Sequence, residues 1–346
     1  MSVNSLLVDH LFLCGDSLEI LKEVDDNSID CIITSPPYWN QRIYKDHEKE
    51  LIGIIGTEDT VDGYVKNLMK IIDELYRVLK PSGSFWLNLG DKYFNKNLVG
   101  VPWRVALAMQ EKGWILRDDI IWDKMKGTQS AKDRFRDIYE HVFHFVKSHK
   151  YYFNPDPVRI EPKKKPKVEG DSTISATGVS GKKYRKMIND SEFLTEDEKQ
   201  NALNALDETL KEIRLGLVND FRMTIRGGQR IFQGGNVKMS GRAKEINDRG
   251  YFILKMYSKG FLPSNIWRIV PEDKVRKDSH DAVFPEELLV VPIKSTCPDG
   301  GIVLDPFSGT GSSVVIACKL GRKGIGIDIS SEYTDIAKKR IKKEIK

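Results

Sequence analysis

The chain has 346 residues, with 55 Lys and Arg against 50 Asp and Glu, a net charge of +5 and a pI near 8.7. That length points to about two domains, and 40% apolar with 30% charged content fits a globular protein with a substantial core. No run of 18 apolar residues occurs, which excludes a hydrophobic membrane-spanning helix; the small positive charge permits a polyanionic partner without requiring one.

The first residues, Met1-Ser2-Val3-Asn4, carry no basic start, and Asp9-His10 break the apolar stretch. No secretory leader is therefore expected, and the expected location is the cytoplasm. Cys14, Cys31, Cys297 and Cys318 form no Cys-x-x-Cys pair, so free thiols in a reducing compartment are expected.

Leu11-Phe12-Leu13-Cys14 reads as a strand ending in Gly15-Asp16-Ser17. Leu18, Leu21 and Val24 then share one helical face, so Asp16 stands at a strand-to-helix junction. There it can cap the helix or hold a ligand. Cys31-Ile32-Ile33 reads as a buried strand. Thr34-Ser35-Pro36-Pro37-Tyr38-Trp39 stops it. Neither proline can donate to a sheet ladder, and each pushes the residue before it toward an extended conformation. The result is a stiff loop at a strand's carboxyl end, where open α/β sheets hold their ligands. Its carbonyls stay available as acceptors beside the Ser35 hydroxyl and the Tyr38 ring. Acceptors plus a stacking ring suit a flat heterocycle that carries an amino group. A Pro-rich turn with a packed aromatic is the plainer alternative.

Residues 41–57 are polar and read as a surface loop. Tyr64, Leu68, Ile71, Ile72, Leu75 and Leu79 keep a helical period, which Pro81-Ser82-Gly83 ends. Residues 84–89 read as a strand, 101–112 as a helix with Pro102 in its first turn, and 114–122 as β-rich. Residues 139–146 and 151–153 read as a hairpin around Lys147-Ser148-His149-Lys150. His141 and His144 lack further ligands in sequence, so no metal site is predicted.

From about residue 159 to 260 the pattern changes. Lys163-Lys164-Lys165-Pro166-Lys167 is a basic run, residues 170–181 are rich in Gly, Ser and Thr, and a charged helix spans about 195–215. Arg222, Arg226, Arg230 and Arg242 follow among glycines. The region reads as an inserted basic module with little core of its own; a plain solvated insertion has the same composition.

The α/β rhythm then returns. Gly301-Ile302-Val303-Leu304 is a strand, Asp305-Pro306-Phe307-Ser308-Gly309-Thr310-Gly311 a loop, 312–320 a helix and 324–329 a strand with Asp328 near its end. Strand, glycine loop, helix, strand and acid is the grammar of a nucleotide-type cofactor site, with the acid on ribose hydroxyls. Position 314 is Val, so the third glycine of the dinucleotide fingerprint is absent, and no P-loop occurs. Asp305 would repel a pyrophosphate and suits a cation. S-adenosylmethionine has an ammonium, a sulfonium, ribose hydroxyls and no phosphate.

Together, Thr34-Ser35-Pro36-Pro37-Tyr38-Trp39 and the 305–311 loop resemble the amino-methylating DNA methyltransferases, which act on N4 of cytosine or N6 of adenine. The catalytic loop precedes the cofactor loop, as in the permuted β group of that family. Asn265-Ile266-Trp267 with His280-Asp281-Ala282-Val283-Phe284-Pro285 resembles the segment that encloses the methionine end of the cofactor. Lys132-Asp133-Arg134-Phe135 and Tyr139-Glu140 resemble the late-sheet segments.

The resemblance implies an α/β fold: a Rossmann-like, circularly permuted S-adenosylmethionine-dependent methyltransferase sheet with helices on both faces, plus an inserted target-recognition region. The divisions are 1–158 (catalytic part), 159–261 (target recognition) and 262–346 (cofactor part). It implies Ser35, Pro36, Pro37 and Tyr38 as catalytic residues. The cofactor set is Asp16, Asp305, Phe307, Ser308, Gly309, Gly311, Asp328, Phe284 and Pro285. The DNA set is Trp39, Lys163, Lys164, Lys165, Arg222, Arg226 and Arg230. Ser before Pro-Pro-Tyr favours cytosine N4, with adenine N6 the alternative. No Pro-Cys dipeptide occurs, which argues against C5-cytosine chemistry. Asp305 and Val314 argue against a dinucleotide-dependent oxidoreductase, and a non-catalytic relic or an RNA or protein methyltransferase fits less of the pattern. The implied partner is double-stranded DNA without a membrane, with room for a separately acting restriction endonuclease and a homodimer.

Overall fold

The computed structural model describes residues 10–40, 55–127, 132–169, 172–227, 241–271 and 284–345. The chain divides into two units, Met1–Val158 with Ser264–Lys346, and Arg159–Pro263. The first unit begins with β1 (His10–Cys14), α1 (Ser17–Lys22), β2 (Ile29–Thr34), α2 (Val61–Val78) and β3 (Leu79–Leu89). It continues through β4 (Tyr93–Phe94), β5 (Asn97–Leu98), α3 (Val101–Glu111), β6 (Ile115–Asp123) and β7 (Tyr139–Val146). The second unit holds β8 (Lys167–Glu169), β9 (Ser172–Ile174), α4 (Lys182–Asn189), α5 (Glu196–Arg214), β10 (Val218–Ile225), α6 (Gly241–Arg249) and β11 (Tyr251–Tyr257). The first unit resumes with β12 (Ile266–Arg268), α7 (Glu286–Thr296), β13 (Ile302–Asp305), α8 (Ser312–Lys319), β14 (Lys323–Asp328) and α9 (Ser331–Glu344).

All six residues of β2 are buried, as expected of a parallel strand covered on both faces. The eight-stranded sheet runs β1-β14-β13-β2-β3-β7-β6-β12. Among the described strands of this sheet only β7 runs against its neighbours; β1, β14, β13, β2 and β3 are parallel in sequence of pairing. Alternate side chains feed two cores. Ile32, Phe85 and Leu304 join Leu68, Leu75 and Met109 beneath α2 and α3, while Ile33, Trp86 and Val303 join Leu289, Ile293 and Ile316 of α7 and α8. The sheet is thus Rossmann-like with helices on both faces. Strand β13, between β14 and β2, comes near the end of the chain, which is the permuted order.

Two local expectations fail. Residues 151–153 form no strand; β7 lies between β3 and β6, which take both its edges. The Tyr152 amide instead donates to the Ser82 carbonyl at 2.8 Å. Pro81-Ser82-Gly83 is not a helix stop: α2 ends at Val78, and β3 begins at Leu79 with an irregular register against β2. A Cβ on Gly83 would lie 2.9 Å from the Asp30 carbonyl, so the chain there passes too close to β2 for a side chain.

The second unit, read from sequence as having little core of its own, has one. Ile188, Leu194, Ala202, Leu206, Ile213, Val218, Phe221, Met223 and Ile225 are buried together. The antiparallel pair β10–β11 and the amphipathic side of α5 supply most of it. Thr195 starts α5 with a reciprocal capping box to Glu198. The charged outer face of α5 had masked this inner stripe.

Candidate active site

Strands β13 and β2 are parallel neighbours, with Val303 opposite Cys31 and Leu304 opposite Ile32. The loops that leave their carboxyl ends, 305–311 and 34–39, therefore emerge side by side. A hydrogen bond joins them, from the Thr34 hydroxyl to Asp305 Oδ1 at 2.6 Å. The Ser313 hydroxyl donates to Asp305 Oδ2 at 2.6 Å and the Phe307 amide to Oδ1 at 3.0 Å. Asp305 is 3% exposed, and burial pushes its carboxyl up to about 6 against the hydrogen bonds. Asp305, expected to suit a cationic cofactor, takes its described donors from within the fold. It is enclosed, and its donors are internal, so it knots the two loops together.

The second acid stands differently. Asp328, half-buried at the end of β14, accepts the Gly309 amide at 2.8 Å and the Ser330 amide at 2.9 Å. Burial raises its carboxyl above the ordinary range, opposed by those two amides. Gly309 and Gly311 have φ of +51° and +79°, which glycine adopts without strain. A Cβ at Gly311 would also meet Phe12 at 2.8 Å. The loop thus bends tightly over Asp328 and starts α8 at Ser312. Ser308 is buried, its amide on the Ile327 carbonyl at 2.9 Å, and Phe307 is half-buried. Asp16 is exposed and caps α1 through the Glu19 amide at 3.1 Å. Because Cys14 pairs with Asp328, Asp16 and Asp328 share one sheet edge. Their spare lone pairs suit a ligand that brings hydroxyls, and the two charges disfavour phosphate. Pro285 is buried at the start of α7 and Phe284 packs on the second core; residues 280–283 lie outside the described residues.

The 34–39 loop is pinned from beneath. Tyr64 donates to the Pro37 carbonyl at 3.1 Å, and the Asn40 amide to the Gly56 carbonyl at 2.8 Å. Among the described residues no group donates to the Pro36 carbonyl. The Tyr38 hydroxyl donates to Glu140 Oε2 at 2.7 Å and lies 3.2 Å from Ser35 Oγ. Asn88 Nδ2 lies 2.8 Å from Glu140 Oε2, 2.7 Å from the Tyr38 hydroxyl and 3.2 Å from Ser35 Oγ. Lys124 is ion-paired with Glu140 Oε1. Burial first, and the Glu140 charge next, push the Tyr38 phenol well above its usual range, so it keeps its proton. Sequence reading missed Asn88, Lys124 and Glu140 as site residues. Their signal was a polar residue inside an apolar strand (Asn88) and a carboxylate opening a buried one (Glu140), each of which needs a partner when buried.

The residues of the two loops and the permuted sheet are matched by known proteins. A family described as DNA methylase, of N6 and N4 amino-methylases, matches residues 29–339. The chain belongs to the N6/N4 DNA methylase family. The methylase is 31% identical over 380 residues to the Type II methyltransferase M.SfiI of Streptomyces fimbriatus, covering 94% of this chain and 89% of that one. It is 27% identical over 359 residues to the Type II methyltransferase M.SmaI of Serratia marcescens, covering 95% and 89%. Its fold resembles the PvuII DNA methyltransferase (cytosine-N4-specific), with a TM-score of 0.56 at 18% identity over 96% of this chain and 86% of that one. TTHA0409 from Thermus thermophilus, solved in complex with S-adenosyl-L-methionine, gives 0.53 at 18% identity over 98% and 96%.

Within the methylase, two residues expected to meet DNA stand otherwise. Trp39 is 4% exposed, lies in the first core and donates its indole N–H to the Glu58 carbonyl at 2.8 Å. It supports the loop from inside, which corrects its assignment to a DNA surface. Arg226 forks onto Glu198 at 2.7 and 3.1 Å and donates to the Asn247 carbonyl at 2.8 Å. Its donors hold the second unit together, so it too is corrected from a phosphate contact. Arg230 lies outside the described residues. Lys163, Lys164, Lys165 and Arg222 are exposed, Arg222 on the face of β10 opposite buried Phe221 and Met223. His141 bonds Asp119 at 2.9 Å, and His144 bonds Ser84 at 3.0 Å while stacking on Trp86. No described helix is long and apolar enough to cross a membrane.

Proposed function

We propose that this DNA methyltransferase moves the methyl group of S-adenosylmethionine to N4 of a cytosine turned out of the duplex. The observation that carries the reading is the pair of acceptors, Ser35 Oγ and the Pro36 carbonyl, on a loop locked beside the cofactor loop by Thr34 and Asp305. S-adenosylmethionine supplies an electrophilic methyl group when bound. The chain's own part is to hold and activate the nucleophile. An exocyclic amine is a poor nucleophile because its lone pair is delocalised into the ring. Acceptors that bond its N–H groups favour the pyramidal nitrogen that attacks, so their effect belongs to the transition state. The Tyr38 ring stacks on the base, and turning the base out costs a few kcal/mol. The exposed lysines of 163–165 and Arg222 are the groups proposed to bind phosphates and help offset that cost.

Asp328 and Asp16 hold the ribose and adenine end, with Gly309, Gly311, Ser308 and Phe307 shaping the loop. Phe284 and Pro285 close the methionine end. Ser35 in place of a carboxylate, and the likeness to a cytosine-N4-specific fold, favour cytosine over adenine. The kinship to Type II methyltransferases supports a place in a restriction-modification system, opposite a separately acting endonuclease.

The test is nucleoside analysis and base-resolved sequencing of DNA methylated by the purified protein. N4-methylcytosine at one sequence context is expected; N6-methyladenine in its place overturns the choice of base. Ser35→Ala is expected to slow single-turnover methylation about 100-fold, as for loss of one preorganised polar partner. An unchanged rate would leave the Pro36 carbonyl as the sole acceptor.

A further inference from the structure

The hydrogen bonds around Tyr38 have a direction. Glu140, ion-paired to Lys124, is a carboxylate and can only accept. The single Tyr38 hydrogen is therefore spent on Glu140 Oε2 at 2.7 Å. At the 3.2 Å contact between Ser35 and Tyr38, the serine must then be the donor. The two Asn88 hydrogens go to its shorter contacts, the Tyr38 oxygen at 2.7 Å and Glu140 at 2.8 Å, ahead of Ser35 Oγ at 3.2 Å; the serine lone pairs are then left, and these are what an amine N–H requires. The Asn88 amide obeys the same charge. Reversed, it would set Oδ1 against the carboxylate; as it stands Nδ2 faces Glu140, and the buried Oδ1 has no partner. An unpaired buried carbonyl is costly, and the contact with the charge must outweigh that cost.

The geometry points to Glu140 as the residue that makes Ser35 an acceptor and takes up the proton shed by the methylated amine, an inference that rests on the methyl-transfer reading above. After transfer the nitrogen carries one proton too many. That proton passes to Ser35 Oγ as the serine hydrogen passes to the Tyr38 oxygen and the tyrosine hydrogen passes to Glu140. Ser35 and Tyr38 end as they began, and Glu140 ends as the neutral acid, to be deprotonated by water once the product leaves. Every hydrogen in the chain already points the way it must move. Lys124, 28% exposed and lying 5.3 Å from the Trp122 ring centre, holds the carboxylate from its other oxygen. Glu140 is thus a positioning residue and terminal proton acceptor that acts through Tyr38 and Ser35.

Glu140→Gln keeps the volume and leaves a carbonyl for Tyr38, so the fold should survive. Its single-turnover methylation rate is expected to fall about 100-fold, the scale of one acid–base partner. Dissociation constants for DNA and S-adenosylmethionine should not change. Tyr38→Phe keeps the ring and breaks the chain, and should slow the reaction comparably. The double variant should be no slower than either single one, because both cut the same relay. A Glu140→Gln enzyme at the wild-type rate, or losses that multiply in the double variant, overturns the inference. Wild-type protein that methylates neither amine would instead defeat the underlying reading and this inference with it.

Discussion

The Thr34 hydroxyl and the Asp305 carboxylate, 271 residues apart in the chain, meet at 2.6 Å in the buried seam between the catalytic and cofactor loops. The buried carboxyl has a pH signature, set by its burial and opposed by this bond. In the unfolded chain Asp305 titrates at its ordinary value near 3.8, whereas burial lifts it to about 6 in the fold. The folded state therefore binds the proton more tightly. The stabilisation that protonated Asp305 contributes is complete below pH 3.8 and is lost as pH rises through 6. Asp305→Asn keeps an acceptor for Thr34 and Phe307 and removes the titration. The stability of the wild type relative to this variant should thus fall by about 3 kcal/mol across that window and stay flat above it. Thermal denaturation of both proteins at a series of pH values measures the difference; a pH-independent difference would mean that Asp305 is not the titrating group.

Asp328 is expected to act on the cofactor rather than on the fold alone. Asp328→Ala removes an acceptor for ribose hydroxyls and releases the Gly309 and Ser330 amides. S-adenosylmethionine affinity should fall by about 1.5–3 kcal/mol, the range for hydrogen bonds to a charged group. Isothermal titration of the folded variant measures it, and unchanged affinity would remove Asp328 from the cofactor site.

What the sequence made legible follows from what was local. The strand–loop–helix around 302–319 and the Pro-Pro loop at 36–37 are contiguous, so each carries its own geometry. That they lie together depends on β13 inserting between β14 and β2, which no local pattern states; the resemblance to a permuted family supplied it. The relay partners of Tyr38 come from β3, β7 and the end of β6 and were invisible for that reason. Trp39 misled because an aromatic beside a catalytic loop reads alike whether it faces ligand or core. Arg226 misled because a basic residue among glycines gives no sign of Glu198, 28 residues earlier.

Gly90 gives the Tyr38 network a steric test. A Cβ at this position would lie 2.8 Å from Tyr38 Cε2 and 3.3 Å from Glu140 Oε1. Gly90→Ala must therefore push the ring aside and strain its bond to Glu140. Overpacking of this kind costs about 1–3 kcal/mol. Methylation rate should drop while S-adenosylmethionine binding, on the other loop, is kept. Parallel rate and calorimetric binding measurements separate the two, and full activity in this variant would show that Tyr38 has slack the packing does not reveal.

The second unit offers a contrast between two kinds of basic residue. Lys163, Lys164, Lys165 and Arg222 are exposed, whereas Arg226 is forked onto Glu198 and bonded to the backbone of 246, 247 and 193. If the exposed set meets phosphates, each neutralised contact should reduce the slope of log K against log salt by about 0.9. Arg226→Ala should leave that slope intact. It should instead destabilise the second unit, by less than the about 3–5 kcal/mol of a fully buried pair because its two side chains are 29% and 20% exposed. Because Glu198 also closes the Thr195 capping box, the loss should appear as fraying at the start of α5. Amide exchange over residues 195–200 reads the fraying, and DNA binding across a salt series reads the slope. A reduced slope in Arg226→Ala with normal exchange would return Arg226 to the DNA surface and leave Glu198 with a partner it does not need.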